Sequence, residues 1–168
     1  TREQYKCLDQ IEDNPRCLIR GAAGTGKTML AIEATKNAVA NGEMVALFCF
    51  NRLLGEWLQN YFAQQSINLR PVYVGTLHSY MRNILVARGK NISVPDDSDE
   101  DEKLHYYSEV LPQMAMDCLH SVKAKFDSII IDEAQDIISE PYLNFIGSCI
   151  KRGIDRGRWM MFGDLSMQ

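Results

Sequence analysis

Short apolar runs alternate along the chain with longer segments in which apolar residues recur at helical spacing. Runs that are continuously apolar, such as the one before Asp132, indicate strands covered by helices on both faces. The predicted strands are Cys17–Arg20, Met44–Phe50, Val72–Val74, Ser128–Ile131 and Trp159–Phe162. The predicted helices are Arg2–Asp13, Lys27–Ala40, Leu53–Gln64, Leu77–Arg88, Glu102–Lys125 and Tyr142–Lys151. This alternation is typical of an α/β fold, a parallel sheet with helices on both faces.

One segment, Gly89 to Glu102, interrupts the alternation. Its glycine, proline, serine and acidic residues predict a mobile surface loop. Six of the seven residues from Asp96 to Glu102 are acidic, so the net charge of −4 becomes +2 for the rest of the chain. The overall charge therefore excludes no nucleic-acid partner.

Composition limits the class of protein. With 168 residues, 46% of them hydrophobic, the chain is long enough for one globular domain. Its five cysteines form no C-x-x-C pair, which favours reduced thiols over a disulfide framework or a zinc site. No targeting segment is visible, and the longest apolar run, Met44–Phe50, is far shorter than the ~20 residues of a membrane span. We therefore expect a cytoplasmic protein with no membrane partner and no obligate homo-oligomer.

A phosphate-binding loop follows the first predicted strand. The eight residues fit the pattern G-x-x-x-x-G-K-[ST] at every fixed position: Gly21, Ala22, Ala23, Gly24, Thr25, Gly26, Lys27 and Thr28. Glycines let the backbone approach a polyphosphate, and the N–H groups at a helix start face its negative charge. We expect Lys27 to reach the β- and γ-phosphates of ATP and the Thr28 hydroxyl to bind Mg²⁺.

A second acidic segment completes the expected site. Asp132 and Glu133 follow three isoleucines at a strand end. We expect Asp132 to bind Mg²⁺ and Glu133 to act as the general base for the attacking water. The alternative is a solvated helix start, since acids favour first turns.

Together these motifs resemble superfamily 1 DNA helicases of the UvrD/Rep type. Gln4 resembles the Q motif, whose amide binds adenine. The segment from Phe162 to Gln168 resembles motif III, although Gln168, the expected γ-phosphate sensor, comes one residue late. The resemblance implies a P-loop NTPase of RecA-like fold that hydrolyses ATP and moves along single-stranded DNA, with RNA not excluded.

Two further segments resemble motifs that line the single-strand channel in that family. Their candidate nucleic-acid contacts are Asn51, Arg52, Thr76, His78, Ser79 and Tyr80. Other roles stay open, because Asn51 and Thr76 are also good helix caps and His78 or Tyr80 could be packing residues.

The domain organisation expected from the resemblance is one RecA-like domain over residues 1–168, a fragment of a larger helicase. The family's insertion is reduced here to residues 89–125, which contain the acidic loop 96–102. A second RecA-like domain of the parent chain is expected to supply arginine fingers, so the fragment should hydrolyse ATP poorly. A nucleotide-dependent regulatory switch and a P-loop kinase are the alternative functions.

Overall fold

The sheet organises the fold. The computed structural model describes residues 2–22, 26–90, 92, 94, 97–119 and 125–164. Five strands pair in the order β1-β5-β4-β2-β3, and every neighbouring pair is parallel. Their bounds are Arg16–Arg20 (β1), Val45–Cys49 (β2), Tyr73–Thr76 (β3), Ser128–Ile131 (β4) and Arg158–Gly163 (β5).

Helices connect the strands. They are Arg2–Asp13 (α1), Lys27–Ala40 (α2), Arg52–Ala63 (α3), Leu77–Ala87 (α4), Glu100–His105 (α5), Leu111–Leu119 (α6), Glu140–Cys149 (α7) and Gly153–Arg156 (α8). A π-helical turn, Tyr106–Val110, joins α5 to α6, and short 3₁₀ turns lie at Ile67–Leu69 and Ala134–Asp136. The chain thus has the α/β architecture that its alternating pattern predicts.

The apolar strands are buried on both faces of the sheet. On β4, Ile129 and Ile131 pack with α4, α6 and α7, whereas Ile130 packs with α2 and α3 on the other face. Successive side chains of a strand point to opposite faces, so a strand with helices on both sides needs apolar residues throughout. The uninterrupted isoleucines are explained in this way.

Most predicted bounds agree with the structure, and α1, α2 and β4 coincide with it. Asn41 and Gly42, a pair that tolerates positive φ, end α2, and Gly42 has a φ of 81°. Thr1, whose hydroxyl would suit a cap of α1, lies outside the described residues.

The acidic segment differs from the prediction. Its last three acids are helical: α5 begins at Glu100, and the Asp99 carboxylate caps it by accepting a hydrogen bond from the N–H of Glu102. Carboxylates stabilise the positive end of a helix, and this local effect outweighs the loop composition. At its other end the predicted helix is too long, since Lys125 is not helical.

Two composition-based expectations can be compared with the structure. All five cysteines are free thiols. Within the described part of the chain, no helix has both the length and the apolar character to cross a membrane.

Packing on α3 gives a stability prediction. Leu58 is fully buried, whereas Leu53 on the same helix is 75% exposed. Leu58→Ala should lower the free energy of unfolding by about 2–5 kcal/mol, because it removes buried methyl groups and leaves a cavity. Leu53→Ala, the matched control, should change it by less than about 0.5 kcal/mol. Urea denaturation measures both, and equal losses would contradict the assignment of Leu58 to the core.

Candidate functional site

The candidate site lies at the carboxyl edge of the sheet. Because all five strands are parallel, the loop after β1 and the turn after β4 emerge at the same edge, with the end of β5 between them. Ligands of open α/β sheets bind at this edge. The topology therefore brings the two motifs of the predicted phosphate site to neighbouring positions.

The loop after β1 leads directly into α2. Gly26 precedes the helix at a φ of 85°, a left-handed conformation that glycine adopts without a side-chain penalty. Lys27 is buried, and its ammonium donates hydrogen bonds to the carbonyls of Gly21 and Ala22, each 2.6 Å long. Ala23, Gly24 and Thr25 lie outside the described residues. The Lys27 side chain therefore folds back onto the loop that is expected to bind phosphate.

One hydrogen bond joins the two motifs. The Thr28 hydroxyl donates to Oδ2 of Asp132 over 2.7 Å, across 104 positions of sequence. Asp132 has no exposed surface, and its other oxygen accepts the N–H of Glu133 at 3.0 Å. Burial raises the pKa of the Asp132 carboxyl, while the Thr28 hydrogen bond acts in the opposite direction. The threonine oxygen and the carboxylate that were expected to bind Mg²⁺ are thus in contact.

The residue after Asp132 has an unusual backbone. Glu133 has a φ of 52°, in the left-handed region that non-glycine residues rarely adopt. Its carboxylate accepts a hydrogen bond from the Gln135 side chain. A 3₁₀ turn, Ala134–Asp136, starts after Glu133, so a short helical turn does begin here, but Asp132 is buried rather than solvated as the alternative prediction had it.

The oxygen atoms suit a magnesium nucleotide. Mg²⁺ prefers oxygen ligands and is usually held by one or two protein groups together with substrate phosphates and water. The Thr28 hydroxyl and Asp132 carboxylate form such a pair. In the described part of the chain, no group of three or more His, Cys, Asp or Glu side chains could hold a metal ion. The residues present fit a metal that is bound with phosphate better than one held by protein alone.

A groove of about 540 Å³ opens beside the ends of β2 and β3. Four of the six candidate nucleic-acid contacts line it: Arg52, Thr76, His78 and Ser79. Arg52 is 89% exposed and pairs with Glu56 at 3.1 Å, an exchangeable surface contact.

The other two candidates have structural roles. Asn51 caps α3 by accepting the N–H of Leu54 at 3.1 Å. Tyr80 packs against several rings, including Phe48 at 5.3 Å and Phe126 at 5.6 Å between centroids. Burial raises the pKa of Tyr80 to about 12. These positions match the alternatives of capping and packing, and Thr76 likewise caps α4.

His78 connects the groove to α7. Its Nε2 lies 2.8 Å from the Tyr142 hydroxyl, which donates to the Tyr107 carbonyl at 3.0 Å. A hydroxyl has one hydrogen, so this arrangement makes Nε2 the donor to Tyr142. Burial lowers the pKa of His78 and outweighs a hydrogen bond to the Tyr107 backbone, which raises it; the nearby Arg82 charge also lowers it. His78 is therefore held as a neutral, oriented ring.

Sequence reasoning missed seven residues of this edge. Gln135 contacts Glu133, and six others line the groove: Phe50, Gly55, Glu56, Gln59, Arg82 and Tyr107. Arg82 was detectable, since it lies four residues after His78 on a predicted helix and so shares its face. Tyr107 comes from the segment between the motifs, and nothing in its spacing indicates this contact. Gln4 lies in α1, but its side chain, like Gln168, is outside the described part.

The comparison with protein families agrees with this geometry. A model of the Schlafen group 3 DNA/RNA helicase domain matches residues 15–158. The chain belongs to this family. No curated protein matches it. The Schlafen group 3 match includes the loop after β1, the turn after β4 and the groove, and it indicates a helicase-like domain.

The neutral state of His78 predicts how stability depends on pH. In the unfolded Schlafen-family chain, His78 binds a proton near the ordinary histidine pKa of 6.5. In the folded chain the pKa of His78 is lower, so protonation requires a lower pH. Stability from this residue is full above that pH and falls as the pH drops toward the lower folded-state pKa. His78→Gln should therefore lose less unfolding free energy than the natural chain between about pH 7.5 and about pH 5.5.

Chemical denaturation at both pH values checks this prediction. His105→Gln is the matched control, because His105 is 63% exposed on α5. An undiminished pH dependence in His78→Gln would contradict it.

Proposed function

We propose that this chain is a RecA-like, ATP-hydrolysing motor domain of the UvrD/Rep-like superfamily 1 type. The contact between the Thr28 hydroxyl and the buried Asp132 carboxylate carries the proposal, because it joins the loop after β1 to the end of β4. The helicase-domain family match supports the same reading. The ligands are ATP and Mg²⁺, and the polymer is single-stranded DNA or RNA.

Each residue of the site has a proposed role. The backbone of the loop 21–28 and the Lys27 ammonium bind the phosphates, releasing the lysine from its own carbonyls. Thr28 and Asp132 hold Mg²⁺, which neutralises charge on the phosphates. Glu133 accepts a proton from the attacking water. Gln4 and Gln168 are proposed to contact adenine and the γ-phosphate.

Movement along a strand requires a surface that binds its backbone. The groove beside β2 and β3 offers two arginines, Arg52 and Arg82, and the hydroxyls of Thr76 and Ser79. Phe50, 37% exposed, and Tyr107 add aromatic faces on which a base can stack. A second RecA-like domain of the parent chain is proposed to form the other wall and to supply arginine fingers.

Substitutions at Glu133 and Lys27 test the hydrolytic function. Glu133→Gln should keep the affinity for ATP within about threefold but lower turnover by about 10²–10⁴-fold, because it removes the general base. Lys27→Ala should weaken binding itself, because it removes the charge that contacts the phosphates. Nucleotide-binding fluorescence and phosphate release measure the two effects in protein that carries this chain.

The control is Glu100→Gln, at a side chain that is 95% exposed on α5. Full turnover in Glu133→Gln would contradict its role as general base. A biological function kept by a variant that binds ATP but no longer hydrolyses it would favour a switch that needs only binding. Transfer of phosphate to a small acceptor, with no stimulation by single-stranded nucleic acid, would instead favour a kinase.

The groove has a separate test. Arg52→Gln combined with Arg82→Gln should weaken binding to a single-stranded 20-mer of DNA or RNA. The dependence of log affinity on log salt should become shallower by about 2, roughly one for each lost phosphate contact. Fluorescence anisotropy at several salt concentrations measures this slope. Arg88→Gln, at the exposed end of α4, is the control, and an unchanged slope in the double variant would place the strand elsewhere.

A further inference from the structure

Gln135 contacts two strand ends at once. Its Nε2 donates to Oε2 of Glu133, after β4, and its Oε1 accepts the backbone N–H of Asp164, after β5, at 3.1 Å. The two partners are 31 residues apart in sequence, and they belong to neighbouring strands. One side chain therefore spans the edge of the sheet at the candidate site.

Both contacts require an amide. A carboxylate acceptor needs a donor, and a backbone N–H needs an acceptor, so the linking group must supply one of each at its tip. Glutamine does so, whereas glutamate or methionine cannot make both contacts. The residue type at position 135 is thus explained by its two partners.

The absence of a side chain at Gly163 leaves room for the Gln135 side chain. A Cβ at residue 163 would lie 2.6 Å from Oε1 of Gln135 and 3.2 Å from the backbone nitrogens of Ala134 and Gln135. The nearest obstacle is the flexible tip of the glutamine rather than the backbone. A larger residue at position 163 would accordingly displace Gln135 from its place.

The partner carboxylate benefits from being held. Glu133 has a long side chain with several rotatable bonds, on a backbone in the left-handed region. Left-handed non-glycine residues are energetically costly and cluster at functional sites. A general base must stay within hydrogen-bonding reach of its water, and freedom of the side chain would lower the fraction of time that it does so.

From these contacts we propose that Gln135 is a positioning residue that fixes the Glu133 carboxylate and ties it to the end of β5. The strand order explains why the end of β5 is near the site: β5 lies between β4 and β1, and β1 leads into the phosphate loop. The proposal deepens the hydrolytic function proposed above and rests on it for its catalytic part.

Hydrogen exchange tests the tie without requiring catalysis. Gln135→Met keeps the length of the side chain but removes the amide, so the Asp164 amide should exchange faster by about tenfold or more. Gly163→Ala should have the same effect by displacing the unchanged glutamine. Gln113→Met is the matched control, because Gln113 donates to Asp117 on the exposed face of α6 at 2.9 Å. Unchanged exchange at Asp164 in both site variants would overturn the tie.

Steady-state ATP hydrolysis tests the positioning role. Gln135→Met and Gly163→Ala should each lower kcat by about 10–100-fold. Their KM should change by less than about twofold, because the phosphate contacts remain. Gln135→Glu, which keeps an acceptor for Asp164 but loses the donor to Glu133, should lower kcat as much as Gln135→Met does.

The outcomes separate the two proposals. An unchanged kcat in variants with faster exchange would overturn the positioning role. A change in kcat and KM that is proportional to the loss of thermal stability in each variant would overturn it as well. If the natural protein hydrolyses no ATP, the proposed function fails, and the exchange of Asp164 alone decides whether Gln135 ties the strand ends.

Discussion

The rest of the site depends on the burial of the Asp132 carboxylate. A carboxylate without exposed surface is costly unless donors satisfy it, and here the donors are the Thr28 hydroxyl and the Glu133 N–H. The first donor joins α2 to the end of β4, and the second belongs to Glu133, which has a positive φ. One buried charge therefore links the phosphate loop, the strand end and the candidate base.

The sheet makes this arrangement possible. Parallel strands with helices on both faces put loops from distant parts of the sequence at one edge, and the apolar strands leave polar side chains only where strands end. The carboxyl end of β5 lies between those of β1 and β4, so a group after β5 can contact either side. Gln135 uses this adjacency, and Gly163 leaves room for it.

Sequence patterns predicted the parts of the fold that depend on local physics. The three isoleucines of β4 and the glycine-rich loop before α2 each have one good explanation, so the bounds there are correct. The role of a residue was harder to predict where its side chain suits two different functions. Asn51 suits both a phosphate and a helix cap, and in the structure it caps α3. Tyr107 and Gln135 could not be found in this way, because their contacts depend on which loops meet at the edge.

Charge shows why local placement matters more than composition. The chain has a net charge of −4, yet the acids around Asp99 are used to start α5, and Asp132 is buried in contact with Thr28. The groove contains Arg52 and Arg82 and one acid, Glu56, which pairs with Arg52, and burial lowers the pKa of its histidine. A strand entering it would meet cations from two different helices and the aromatic faces beside His78. The net charge of the chain thus does not predict the charge of this groove. The positions of the residues that follow β2 and β3 predict it better.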